Sequence, residues 1–75
     1  MNSVIKEDFQ MPKEFLVTFH LTKGQIQQTI CEQSLSVLQS NLNKDILNKN
    51  INYLDINGTI LFTRHIKGFT VIEIN

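Results

Sequence analysis

Few residues in this sequence carry reactive groups, and their spacing supports no catalytic arrangement. His20 and His65 are its two histidines and Cys31 its one cysteine. One Cys and two His without paired ligand spacing do not make a structural zinc site. The carboxylates of Glu32, Asp55 and Glu73 have no partner placed for acid–base work. No serine lies in a nucleophile elbow, and the three glycines are scattered, so there is no phosphate-cradling loop. Asn57-Gly58-Thr59 matches a glycosylation sequon, but a hairpin turn explains the same residues better. Tyr53, Phe62 and Phe69 near Arg64 and Lys67 imitate a base-stacking platform. Neutral net charge weakens that reading, and core packing is the plainer one. The chain is therefore expected to be no enzyme and to need neither cofactor nor metal.

At 75 residues the chain has room for one domain. A domain of this size buries only about 60% of its unfolded surface, so its stability is marginal without a disulfide, a metal or a partner subunit. A single cysteine excludes an internal disulfide. Cys31 is expected as a buried thiol in a reducing compartment. Oligomerisation is then the remaining route. Seven basic residues balance seven acidic ones, so no global electrostatic footprint for nucleic acid or anionic lipid exists. No apolar run approaches the ~18 residues of a membrane span. The opening MNSVIKEDFQMP mixes charges where a signal peptide has an apolar core. A cytoplasmic location is expected. Abundant Ile, Asn, Lys and Phe point to an AT-rich coding sequence, as in certain bacteria, their phages and plasmids, or an organelle.

The elements that must position these residues follow from periodicity. Residues 1–12 form an arm with no clean period, and residues 13–75 a single α+β domain. Residues 14–21 alternate, with Phe15, Val17, Phe19 and Leu21 on one side and Leu16, Thr18 and His20 on the other. Thr22 with Gln25 fits a capping box, and Leu21 with Ile26 a hydrophobic staple, which predicts a long helix from residue 22 that frays between residues 41 and 48. Ile26, Ile30, Cys31, Leu35, Val37, Leu38 and Leu42 would form its apolar arc. Residues 51–74 read as three strands joined by turns at Asn57-Gly58 and Lys67-Gly68. The expected order is one strand, one long helix, then a three-stranded antiparallel meander (β-α-β-β-β), with the helix on one sheet face. This arrangement is shared by unrelated folds, and no motif ties the chain to one of them.

Strand alternation sorts the side chains into two faces. One carries Ile51, Tyr53, Ile60, Phe62, Ile66, Phe69 and Val71, interrupted by Asp55, Arg64 and Glu73. Its aromatic character matches Phe15, Val17 and Phe19, so it is assigned to the helix-covered core. The other carries Leu16, Thr18, His20, Leu54, Ile56, Leu61, Thr63, His65, Thr70 and Ile72. That mixture is too apolar for a solvated surface and too polar for a second core, which marks an interaction face. The two histidines there are read as polar residues of a half-wet interface. The function expected is a small non-enzymatic protein–protein interaction module, a regulator or inhibitor of the kind phages and mobile elements encode. It would use this face for self-association, most simply as a dimer, or for target binding. The alternatives are a single-stranded nucleic-acid binder and a small-ligand carrier with a site between subunits.

Overall fold

A computed structural model describes residues 12–74. Apart from Pro12, the expected arm lies outside them. Strand β1 (Lys13–Leu21) is followed by β2 (Gln25–Glu32), helix α1 (Leu35–Leu47), β3 (Tyr53–Ile56), β4 (Thr59–Phe62), a 3-10 turn (Thr63–His65) and β5 (Ile66–Glu73). The fold is α+β with antiparallel sheets: three strands in the order β2-β1-β5 and a separate β3-β4 ribbon.

β1 occupies the centre because its alternation is the cleanest in the chain. Phe15, Val17 and Phe19 are completely removed from solvent, and each such side chain stabilises the fold by about 1.5–3 kcal/mol relative to exposure. Phe15 pairs with Ile30 and Glu73, Val17 with Gln28 and Val71, and Phe19 with Ile26 and Phe69. These residues share one sheet face, and that face meets the helix and the ribbon. On the opposite face the buried Thr18 hydroxyl accepts a hydrogen bond from Gln27 Nε2 at 3.1 Å.

The long helix expected from residue 22 is not formed. Thr22 to Gly24 turn the chain, Gly24 adopts φ +84°, and the Leu21 amide donates to the Gly24 carbonyl at 2.9 Å. The register runs unbroken to His20 opposite Gln25, so Leu21 and Gly24 close a tight hairpin, with glycine at the left-handed position. Residues 25–32 return as β2. Ile26 and Ile30 are four apart, which suits one face of a helix and one face of a strand equally well. The ambiguity is resolved by Gln28, which points inward between them and donates from Nε2 to Thr59 Oγ1 at 3.1 Å. A strand can turn that polar residue toward the ribbon and satisfy it.

The helix is capped twelve residues later than expected, at Ser34 instead of Thr22, and the Ser34 hydroxyl accepts from the Val37 amide at 3.3 Å. Leu38 and Leu42 bury in the same cluster as Phe15 and Phe19, with Ile46 packed alongside. The spacing of four gives a narrow stripe that reaches both β2 and β5. α1 continues through Leu47, where fraying was expected, and Leu47 itself points to solvent. Asn48 then ends it, its side-chain oxygen accepting from the Asn50 amide at 2.8 Å.

Asn57 and Gly58 form the expected two-residue turn, with φ of 53° and 89°. Their positive values match the twist of an antiparallel ribbon. The register follows: Ile56 opposes Thr59, Leu54 opposes Leu61, and Tyr53 opposes Phe62. Asp55 Oδ1 accepts from the Gly58 amide at 3.1 Å, and Asn57 Nδ2 donates to the Thr29 carbonyl at 2.9 Å. The second bond ties the ribbon tip to β2. Lys67-Gly68 is not a turn. Both lie within β5, where Lys67 is the extra residue of a bulge opposite His20 and Leu21. The meander is thereby replaced by a ribbon plus a strand that joins β1.

The ribbon turns its faces opposite to the expected way. Leu54 and Leu61 enter the core, Leu61 at 6% exposure, whereas its neighbour Phe62 is 45% exposed. Leu61→Ala should therefore cost about 2–5 kcal/mol. Phe62→Ala should cost about 1 kcal/mol, the ordinary size for a point substitution outside the core. Urea unfolding followed by circular dichroism separates them, and a larger loss for Phe62→Ala would reverse the assignment.

Candidate interaction surfaces

The outer face of the β3-β4 ribbon gathers Tyr53, Asp55, Ile60 and Phe62. Tyr53 is 52% exposed, opposite the half-exposed Phe62, and Ile60 is exposed opposite Asp55. The 3-10 turn then brings Arg64 and His65 to the same ring. The Arg64 guanidinium carbon lies 5.4 Å from the Phe62 ring centroid, and the His65 ring meets it edge-on at 6.2 Å. The arginine–ring contact is worth about 0.5–1 kcal/mol at an exposed site. The turn is held firmly. The Thr63 amide donates to the Asn52 carbonyl at 2.9 Å and its hydroxyl to the Ile51 carbonyl at 3.1 Å. The His65 carbonyl accepts from the Thr22 amide at 2.9 Å. Beside the ribbon an open groove runs between α1 and β3, with Leu42 and Leu54 along it and Asp45, Tyr53 and Asp55 among its lining.

The second surface is the face of the three-stranded sheet turned away from the helix. Its cross-strand rows place Thr29, Leu16 and Ile72 together, then Gln27, Thr18 and Thr70, then Gln25, His20 and Gly68. Ile72 is 59% exposed, and Ile74 beside it is exposed too. Among the described residues, helix and ribbon both lie on the other side.

The ten residues expected on one interaction face are divided between these settings. Leu16, Thr18, His20, Thr70 and Ile72 do share the sheet face away from the helix, with Leu16 and His20 half-buried and Thr18 buried. Leu54 and Leu61 are core residues, and Ile56 packs against that core. Thr63 is half-buried in bonds to Ile51 and Asn52. His65 is exposed beside Phe62 rather than on a common face with His20. The face divides because β3 and β4 are not strands of the sheet that contains β1, so alternation cannot be carried across. Tyr53, Ile60 and Phe62, expected in the core, stand outside it. Asp55 on their face was the signal against that expectation, since an aspartate is almost never fully buried without a partner.

Among the described residues, no group of three or more His, Cys, Asp or Glu side chains is placed to hold a metal ion. No described helix is long and apolar enough to cross a membrane. Compared with family models, with curated proteins and with solved structures, the chain matches none.

Cys31 corrects a further expectation. It is exposed, on β2 opposite Glu14, because residues 25–32 form a strand and its odd-numbered positions face away from the core. A thiol reagent should label it stoichiometrically in the native protein, at a rate near that of the urea-unfolded chain. Strong protection in the native state would show that β2 is turned the other way.

Proposed function

We propose that this chain is a small non-enzymatic protein–protein interaction module, and that it grips its target with the outer face of the β3-β4 ribbon. The observation that carries this is the ribbon's two apolar faces. Leu54 and Leu61 are consumed by the core, yet Tyr53, Ile60 and Phe62 remain half-exposed on the opposite side. Tyrosine and arginine are over-represented at interface hot spots, and Arg64 is already stacked on Phe62. The ribbon is preorganised by the Asn57-Gly58 turn and by its bonds to β2, which lowers the ordering cost of binding. Asp45 and Asp55 along the adjoining groove favour a partner that presents apolar side chains flanked by lysine or arginine.

Exposed Tyr53 and Phe62 beside Arg64 also raise the single-stranded nucleic-acid reading, because such rings stack bases. The same two aspartates would repel a phosphate backbone, and the net charge is zero. The protein reading is therefore preferred. The test uses tagged wild type, Phe62→Ala and Gln25→Lys, a control on the far sheet face away from the β5 edge, as baits in extract of the native cell. A partner held by wild type and Gln25→Lys but lost with Phe62→Ala is the expected result. Salt-dependent binding of short oligonucleotides, abolished by Phe62→Ala, would replace it with the nucleic-acid reading.

A further inference from the structure

β5 is an eight-residue edge strand without proline. Among the described residues, only β1 pairs with it. The Ile74 amide donates to the Glu14 carbonyl at 2.9 Å. Antiparallel strands alternate between pairs that exchange hydrogen bonds and pairs that do not. Gly68, Thr70 and Ile72 therefore turn their backbone groups toward β1, and Phe69, Val71 and Glu73 turn theirs outward. A free edge of this length is a template for another strand. The other edge of the sheet is partly occupied, because the Thr29 carbonyl on β2 accepts from Asn57.

We infer that β5 pairs antiparallel with β5 of a second copy of this chain, about a two-fold axis at Thr70, so that two three-stranded sheets become one. The sequence of the strand selects that register. With Thr70 opposite Thr70, Lys67 of each copy faces Glu73 of the other, and opposite charges meet at both ends. Phe69 meets Val71 across the axis, and these are residues whose backbone groups point outward. That parity is what an antiparallel ladder requires. Gly68 falls opposite Ile72, and open space at Gly68 leaves room for the largely exposed isoleucine. The bulge at Lys67 ends the backbone ladder there, so its side chain acts as the closing ion pair. This contact uses the sheet edge and leaves the ribbon face free for a target.

Sedimentation across a concentration series tests the inference on the full chain. The expected species is a dimer. Lys67→Glu or Glu73→Lys alone turns two attractive pairs repulsive and should raise the dissociation constant about tenfold. The double exchange should restore it. Thr70→Lys, which sets like charges across the axis, should weaken the dimer as well. The amides of Phe69 and Val71 should exchange slowly with solvent deuterium, and faster on dilution. A monomer at every concentration overturns the inference. So does a dimer indifferent to all three substitutions. Slow exchange that dilution leaves unchanged also overturns it, since the edge would then be covered within one chain.

Discussion

Everything in this fold depends on the burial of one face of β1. Phe15, Val17 and Phe19 are fully sequestered, and among the described elements the helix and every other strand contribute to covering them. β2 and β5 flank the strand and bring Ile26, Ile30, Phe69 and Val71 level with it. α1 contributes Leu38 and Leu42, and the ribbon Leu54 and Leu61. A chain this small cannot build a second core, so each element spends its best apolar residues on β1. What is apolar and left over stands at the surface.

Which residues are left over is decided at the Asn57-Gly58 turn. A two-residue turn fixes the register, and the register fixes which alternate set points inward. The aliphatic pair Leu54 and Leu61 goes in, and the aromatic pair Tyr53 and Phe62 stays out. Side-chain bonds from Gln28 to Thr59 and from Asn57 to the Thr29 carbonyl hold that choice in place. The candidate target surface is thus a direct consequence of how the core is filled. The 3-10 turn adds Arg64 and His65 to its rim and then delivers the chain into β5.

Local signals in the sequence were legible where one physical rule acted alone. The alternation of residues 14–21 and the positive-φ turn at Asn57-Gly58 each have a single reading, and both are found. The second hairpin and the long helix failed where two rules competed. Ile26 and Ile30 fit both periods, and the Thr22 cap signal sits where Gly24 instead supplies a left-handed turn. Lys67-Gly68 offered one glycine, and Gly68 takes an extended conformation within β5. The candidate site was least legible because it rests on tertiary placement. Alternation within β3 and β4 correctly separates Leu61 from Phe62, but only packing decides which of the two sees water. The charge of Asp55 was the one local clue.

Leu61, and not Phe62, belongs to the cluster that covers β1. A carbon-edited nuclear Overhauser experiment addresses this placement directly, at atomic distance and without substitution. Cross-peaks are expected from the Leu61 methyl groups to side chains of the Phe15, Phe19 and Leu38 cluster, and none from the Phe62 ring to Phe15 or Phe19. Cross-peaks from the Phe62 ring to Phe15 or Phe19, with the Leu61 methyls seeing only water and their own strand, would contradict it.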